Sequence, residues 1–375
     1  MTMSNSHHQR SDAPQQGAPG FGHRQLPIAN SRSSIGWSAN GVLTALFLAG
    51  WLAGLSACSR DDSSAQRHPG GRITIAVIPK GTTQVFWKSV HAGAVRAARE
   101  LDVEVIWKGP LREDDRESQI KVVEDFITRG VDGVVLAPLD NVALRPAVNE
   151  AVRSRIPVVI IDSSIDTDRY VSFVATDSEE GGRRAGEHLA RLLGEKGRVI
   201  VLRFLEGSAS TEQRVQGFLD ALKAYPDLEV ASSNQRSGST AELGYQASEN
   251  LLVQFKQPDG GLSIDGIFCP NEFTTFSMLR ALQDGQLAGK VRFVGFDSSD
   301  TLVAALAKGE LDGLVLQDPI NMGYLGVKTM VQHLRGERVE TRIDTGSIVA
   351  TRENMNDPEI SGLLNPDFRK WLGED

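Results

Sequence analysis

The chain has 375 residues, of which 40% are hydrophobic and 23% are charged, so it is long enough for two globular domains and is neither a disordered tail nor a fibre. Its 40 Lys and Arg residues against 48 Asp and Glu residues give a net charge of -8, which lacks the basic footprint of a nucleic-acid-binding protein. Two cysteines are too few for a disulfide scaffold or a closed zinc site. No motif predicts a metal ion or a cofactor.

The N-terminal segment has the pattern of a targeting sequence. An apolar run at 42–55 has the length of a signal-peptide hydrophobic region and is shorter than the ~20 residues of a membrane span. It ends in Leu55-Ser-Ala-Cys58, which resembles a bacterial lipobox, where cleavage occurs just before a cysteine that then carries lipid. The resemblance implies a signal peptide over 1–58, lipidation at Cys58 and a flexible tether over 59–71. An uncleaved anchor helix and an ordinary signal peptide with an incidental cysteine are the alternatives.

Short apolar runs and helical stripes alternate along the rest of the chain. Strands are predicted at Ile73–Ile78, Val103–Trp107, Gly133–Pro138, Pro157–Asp162, Val171–Thr176, Arg198–Phe204, Leu228–Ala231, Gly266–Cys269, Val291–Asp297 and Gly313–Gln317. Helices are predicted between them, at 86–101, 120–128, 141–153, 212–224, 241–255, 272–283 and 302–306. Consecutive Val and Ile residues are typical of strands covered on both faces, as in a parallel sheet. The predicted fold class is therefore α/β, with two doubly wound parallel-sheet lobes in tandem.

Several predicted strands end in polar residues. These are Asp162, Asn271, Asp297 and Gln317. The carboxyl ends of parallel strands meet at one edge of a sheet, where ligands bind, although Asp and Asn at such positions also cap the next helix. An aromatic pair, Phe86-Trp87, lies where the first loop becomes a helix. Aromatic planes cover the apolar faces of a sugar ring, and carboxylates and amides bind its hydroxyls, so the combination favours a polyhydroxylated ligand such as a neutral saccharide.

Residues 74–94 resemble the opening of the ribose/galactose-type periplasmic sugar-binding proteins of ABC transporters, which share a fold with the ligand domains of lac-repressor-like regulators. Six later fragments continue the resemblance in the same order, at 133–138, 157–162, 217–222, 269–272, 294–297 and 316–317. It implies the type I periplasmic-binding-protein fold, in which a hinge of three crossings joins the lobes. The N-terminal lobe would comprise 72–176 plus 318–344, and the C-terminal lobe and tail 177–317 plus 345–375.

The same resemblance implies a function and a set of ligand contacts. The expected protein is a monomer that is anchored to the membrane through lipid in the periplasm or at the cell surface. It binds a monosaccharide by hinge closure, delivers it to a membrane permease with its ATPase, and is not an enzyme. The contacts carried over by position are Gln84, Phe86, Trp87, Asp162, Ser163, Arg214, Asn271, Asp297 and Gln317. Ribose binders have Arg at the position of Ser163 and an aromatic residue near Ser239, and both departures argue against ribose itself.

Three other functions remain open from the sequence alone. A transcriptional regulator of this fold needs a basic helix-turn-helix ahead of Ile73, where this chain has its apolar leader. A glycoside hydrolase would use Asp162 and Asp297 as an acid and base pair. A lipoprotein that presents a ligand, such as a sugar-like signal molecule, to a chemoreceptor or sensor kinase would need the same cleft. The tail is predicted to add a short surface helix at 365–372, with no function assigned.

Overall fold

A computed structural model describes residues 71–373 of the chain. The strands are β1 (Thr74–Ile78), β2 (Glu104–Trp107), β3 (Gly133–Leu136), β4 (Val158–Ile161), β5 (Ser172–Ala175), β6 (Lys196–Val201), β7 (Asp227–Ser232), β8 (Gly266–Phe268), β9 (Arg292–Phe296), β10 (Gly313–Leu316), β11 (Arg342–Asp344) and β12 (Ile348–Ala350). The helices are α1 (Val85–Leu101), α2 (Arg116–Arg129), α3 (Arg145–Arg153), α4 (Ser178–Leu192), α5 (Ala209–Leu222), α6 (Ala241–Val253), α7 (Glu272–Asp284), α8 (Asp300–Lys308), α9 (Pro319–Leu334), α10 (Pro358–Leu364) and α11 (Arg369–Leu372).

These strands form two six-stranded sheets. The first sheet has the order β11-β5-β4-β3-β1-β2, and every neighbouring pair in it is parallel. The second has the order β12-β10-β9-β8-β6-β7 and is parallel except for β12, which runs antiparallel to β10. The prediction of two doubly wound parallel-sheet lobes is thus confirmed.

The alternation of side chains along each strand explains why the Val and Ile runs are unbroken. In β1, Ile75 and Val77 belong to the hydrophobic core on one face of the first sheet, whereas Ala76 and Ile78 belong to the core on the other. All four side chains are fully buried. Because helices cover both faces, every position along the strand must be apolar.

The chain passes between the two sheets three times, after β5, after β10 and between β11 and β12. Helix α4 follows the first passage and packs against α5, and α9 follows the second and packs against α1. Neither helix was predicted from the sequence. Glycines let both pairs approach to backbone contact, since a Cβ on Gly182 would overlap the carbonyl oxygen of Arg214, and one on Gly93 would overlap that of Ile320. Gly181, Gly182 and Gly186 lower the intrinsic helix propensity of α4 and weaken its sequence signal.

The C-terminal tail contacts both halves of the molecule. Helix α10 buries Ile360 and Leu364 in the core of the second sheet. Helix α11, shorter than the helix predicted at 365–372, packs on α1 of the first half. There, Arg99 donates a hydrogen bond from Nη2 to the carbonyl oxygen of Trp371 (2.8 Å), and its guanidinium lies 5.7 Å from the Trp371 ring centre. The tail therefore contacts the core of the second sheet through α10 and helix α1 of the first half through α11.

Candidate functional site

A narrow cavity with about 30 Å³ of free space, partly open to solvent, lies between the carboxyl ends of the two sheets. Its walls are formed by Lys80, Gln84, Phe86, Trp87, Glu113, Asp162, Ser208, Ser210, Thr211, Arg214, Asn271, Glu272, Phe273, Asp297 and Gln317. Every residue predicted as a ligand contact lines this cavity except Ser163. The N-terminal ends of α1, α5 and α7 also meet here, and their amide groups carry partial positive charge.

Two aspartates occupy equivalent positions in the two halves. Asp162 follows β4 and Asp297 follows β9, and both have left-handed backbone angles, with φ of 62° and 67°. Each donates its amide hydrogen to a neighbouring strand, Asp162 to the carbonyl of Val174 (3.2 Å) and Asp297 to that of Val315 (2.8 Å). Non-glycine residues adopt this conformation rarely. The sharp turn it produces ends both strands at the cavity.

On the first half, the carboxylate of Asp162 pairs with a lysine from the end of β1. The Nζ atom of Lys80 lies 2.6 Å from Oδ2 of Asp162, and both side chains are almost fully buried. Nζ also donates hydrogen bonds to the hydroxyls of Ser210 (3.1 Å) and Ser208 (3.4 Å) at the start of α5. Lys80 was not predicted, although it follows an apolar strand as the predicted aspartates do.

On the second half, Asp297 is the centre of a buried polar cluster. It accepts hydrogen bonds from Nε2 of Gln317 (2.6 Å) and from the backbone amide of Glu272 (3.2 Å). Nη1 of Arg214 lies 3.8 Å from Oδ2 of Asp297 and donates to the carbonyl oxygen of Pro270 (3.0 Å). Burial raises the pKa of Asp297 above its usual range, while Arg214 opposes the shift.

Part of this cluster has no partner within the described chain. Nε and Nη2 of Arg214 and Oε1 of Gln317 are buried without a hydrogen bond, and the two side chains are only 3% and 4% exposed. The Arg214 guanidinium is held in place by the Phe296 ring, whose centre lies 4.0 Å away. A buried polar atom without a partner costs roughly 1–3 kcal/mol, so a ligand that satisfies these atoms gains affinity.

The aromatic side chains come from both halves. Phe86 and Trp87 in the first turn of α1 meet edge to face, with ring centres 4.9 Å apart and planes at 87°. Two perpendicular rings do not stack on the same face of one sugar, so the predicted pair of platforms reduces to one stacking plane and one edge contact. Phe273, in the first turn of α7, also lines the cavity. Ribose binders have their second aromatic near the position of Ser239, and in this chain the hydroxyl of Ser239 donates a hydrogen bond to Asp114.

Two predicted contacts have other roles in the structure. Ser163 is buried outside the cavity lining, and its hydroxyl accepts a hydrogen bond from the backbone amide of Ser210 (2.9 Å). Its short side chain thus ties the two halves together where the resemblance implied a ligand contact. Asn271 lines the cavity and also caps α7, since its Oδ1 accepts from the amide (3.1 Å) and the hydroxyl (2.7 Å) of Thr274. Its amide NH₂ is the group that can reach a ligand.

Two glutamates in the cavity wall were not predicted. Glu113, in the loop between β2 and α2, accepts a hydrogen bond at Oε1 from Nε1 of Trp87 (2.6 Å). Glu272, in the first turn of α7, accepts one at Oε2 from the backbone amide of Phe86 (3.4 Å). Burial is the main cause that raises the pKa of both carboxyls, to about 8 for Glu272, and the nearby Asp297 adds to each shift. Glu272 directly follows the predicted contact Asn271, so its position in the sequence indicated that it could line the site. The loop that contains Glu113 has no periodic pattern from which this residue could have been predicted.

Other sequence predictions have different outcomes. Cys269 is fully buried at the end of β8, and burial raises the pKa of its thiol. The signal peptide, Cys58 and almost all of the tether lie outside the described residues. Within 71–373, no group of three or more His, Cys, Asp or Glu side chains is arranged to hold a metal ion. The helices in this same range include none long and apolar enough to cross a membrane.

Known proteins resemble this chain along most of its length. The family model described as a periplasmic binding protein domain matches residues 75–338. The ribose import binding protein of Haemophilus influenzae is 30% identical over 270 residues, which is 72% of this chain and 88% of that protein. A carbohydrate-transporter solute-binding protein from Agrobacterium radiobacter, solved with D-arabinose, is 35% identical with a TM-score of 0.74 over 79% of this chain and all of that one. A solute-binding protein from Agrobacterium vitis, solved with D-fucose, is 34% identical with a TM-score of 0.72 over 78% of this chain and all of that one. The chain belongs to the periplasmic binding protein family.

Proposed function

We propose that this protein is the substrate-binding component of an ABC-type sugar importer, and that it binds one monosaccharide in the cavity between its two lobes. The observation that carries the proposal is the set of buried, unpartnered polar atoms on Arg214 and Gln317, which lie beside Asp297 in a cavity that aromatic rings also line. Hydroxyl groups both donate and accept hydrogen bonds, so a sugar satisfies the guanidinium and the amide oxygen together. The relatives described as ribose- and arabinose-binding proteins support the same class of ligand.

Each part of the site has a proposed role. Asp162 and Asp297 accept hydrogen bonds from ligand hydroxyls, Arg214 and the Asn271 amide donate to them, and Gln317 does both. Gln84, at the start of α1, donates or accepts at the edge of the ring. Trp87 or Phe86 covers one face of the ring, and Phe273 supplies the aromatic contact of the opposite lobe. None of these groups is given a catalytic role, in keeping with relatives that are binding proteins.

Hinge closure is the proposed binding mechanism. The proposed lobes are residues 72–176 plus 318–344 and residues 177–317 plus 345–375, and each contains one of the two sheets. Contacts already join them across the cavity, such as Lys80 with Ser210 (3.1 Å) and the Phe86 amide with Glu272 (3.4 Å). A ligand shifts the equilibrium towards the closed form only if it binds that form more tightly. A sugar held from both lobes meets this condition.

The proposal extends to the cellular setting. The protein acts as a monomer in the periplasm or at the cell surface, where Cys58 becomes the N-terminal residue after cleavage just before it and carries a lipid. The lipid keeps the protein near the membrane, so its effective concentration at the permease is high. The apolar run at 42–55 and the Leu55-Ser-Ala-Cys58 sequence support this. Mass spectrometry of the mature N-terminus tests it, and an unmodified Cys58 within an uncleaved chain would refute it.

A thermal-shift screen against pentoses, hexoses, polyols and amino sugars tests the ligand class. A ligand at 100 times its dissociation constant adds about 2.7 kcal/mol to the free energy of unfolding, which raises the Tm of a folded body of this size by about 4 °C. The Asp297→Ala variant should lose the shift, because Gln317 and Arg214 lose their common partner. The Asp168→Ala variant, changed at an exposed carboxylate far from the cavity lining, should keep it. Stabilisation by nucleotides or amino acids alone would refute the proposal.

A further inference from the structure

The cavity wall has more acidic than basic side chains. Four carboxyl groups line it, on Glu113, Asp162, Glu272 and Asp297. Its two cationic groups are already placed against carboxylates, since Lys80 lies 2.6 Å from Asp162 and Arg214 lies 3.8 Å from Asp297. Neither Glu113 nor Glu272 forms an ion pair with a Lys, Arg or His anywhere in residues 71–373.

The two remaining carboxyls are fixed by the same aromatic pair. Trp87 donates its indole hydrogen to Glu113, and the adjacent amide of Phe86 donates to Glu272. Each hydrogen bond uses one oxygen and leaves the second for another donor. The amide ends of α1 and α7 offset part of the negative charge. Two carboxyls from opposite lobes nonetheless line one cavity, and Lys80, the cation that acts on Glu113, is already paired with Asp162.

Three kinds of partner can compensate such a pair: a metal ion, bound protons, or a cation on the ligand. The described residues contain no cluster arranged to hold a metal. Burial and the neighbouring carboxylates raise the pKa of both groups, although Lys80 and the Trp87 hydrogen bond oppose the shift at Glu113, so bound protons can offset the charge when no ligand is present. An ammonium group on the ligand stabilises the carboxyl pair more strongly than bound protons do, because hydrogen bonds between charged partners are about twice as strong as those between neutral ones.

We propose that the Glu113–Glu272 pair selects a monosaccharide that carries a protonated amino group, which lies between the two carboxylates in the closed form. This inference rests on the proposed function and names its substrate class. The remaining wall is suited to the hydroxyl groups, through the unpartnered atoms of Arg214 and Gln317. The same excess of carboxyls discriminates against sugar acids and sugar phosphates, since a like charge would be buried beside Glu113 and Glu272.

The test compares hexoses aminated at C2, C3 or C6 with the parent hexoses, by isothermal titration calorimetry at pH 6.5, where the amines are protonated. At least one amino sugar should bind about 10- to 100-fold more tightly than its parent, the range expected for one charged hydrogen bond. It should also release up to one proton per site, because the ammonium group replaces the proton on Glu272. Titrations in two buffers of different ionisation enthalpy measure that release. The corresponding uronic acids should bind more weakly than the parents.

Isosteric variants separate the charge from the shape of the site. Glu272→Gln and Glu113→Gln should each reduce the ratio of amine affinity to parent-sugar affinity to about one, whatever either change does to the affinity for the parent sugar. Glu124→Gln, at an exposed position of α2, is the matched control and should behave as the unmodified protein. Thermal unfolding of each ligand-free variant checks that it is folded.

The outcomes distinguish this inference from the function on which it rests. If a parent sugar binds as tightly as every amine, without proton release, and the Gln variants change nothing, the inference is wrong and the sugar-binding function stands. If no sugar of either kind binds, the proposed function itself is wrong. If the amine binds more tightly but the Gln variants keep that preference, Glu113 and Glu272 are not its cause and the inference is again overturned.

Discussion

The Lys80→Met substitution is the sharpest test of how closure depends on the buried ion pair. Lys80 and Asp162 are 3% and 4% exposed, and Met retains most of the side-chain volume while removing the charge. Removing one partner of a buried pair costs roughly 3–5 kcal/mol, because the other charge is left uncompensated. The hydrogen bonds from Lys80 to Ser208 and Ser210 in the opposite half are lost as well.

The location of the Lys80–Asp162 pair decides whether this free-energy cost lowers the ligand affinity or the stability of the ligand-free protein. Asp162 is buried in this structure, and in the open form that the proposed hinge closure requires, water would hydrate its carboxylate. The cost therefore falls on the closed form, and ligand affinity should drop by roughly 100- to 4,000-fold. The Tm of the ligand-free protein should therefore change by no more than ~2 °C. If the 3–5 kcal/mol were instead lost from the stability of the whole fold, the Tm would fall by about 5–8 °C.

Titration calorimetry with the sugar identified by the screen, together with thermal unfolding without ligand, measures both quantities. Lys121→Met, at an exposed position of α2, serves as the control for introducing methionine. A variant that keeps its affinity within threefold while its Tm falls by 5–8 °C would refute the reasoning. In that case Lys80 would stabilise the fold of its own lobe rather than the closed cleft.

Two further predictions concern pH and the tail. The pKa of Glu272 is raised to about 8 in the folded protein and lies near its ordinary value in the unfolded chain, so the stability contributed by this group is fully present below that ordinary value and is lost as pH rises through about 8. The slope due to this group is at most about 1.4 kcal/mol per pH unit. Denaturant titrations across that range should show a shallower decline for Glu272→Gln, and an identical decline would contradict the assignment. For the tail, Trp371→Ala removes the ring that contacts Arg99, a cation–π interaction of about 0.5–1 kcal/mol at an exposed site. If the tail helps to hold the lobes closed, ligand affinity should fall about two- to fivefold, and unchanged affinity with a lower Tm would limit its role to stability.

Much of the site could be predicted because strand ends have a recognisable sequence signal. Asp162 and Asp297 stand directly after buried apolar runs, and in parallel sheets such positions meet at one edge. Lys80 stands in a comparable position after β1, so the same rule applied to every strand would have included it. Asn271 shows the limit of the rule, because one side chain both caps α7 through Oδ1 and lines the cavity.

Other features could not be predicted because they depend on what a residue contacts. Glu113 lies in an aperiodic loop and reaches the site only because Trp87 donates a hydrogen bond to it. Phe273 lies in the first turn of α7, where an apolar residue is equally suited to the core. Ser163 is next to a ligand-facing aspartate in sequence but points to the opposite lobe, where it accepts the hydrogen bond from Ser210.

The sequence by itself determined the two-lobed parallel α/β architecture, since strands buried on both faces require unbroken runs of apolar residues and two series of such strands alternate with helices along the chain. It also determined which strand ends face a common edge. Only the tertiary structure decided the charge of the cavity, the pairing of Lys80 with Asp162 and the position of the tail across both halves. These depend on the distance between groups far apart in the chain, which the pattern of residues along one strand or helix does not contain.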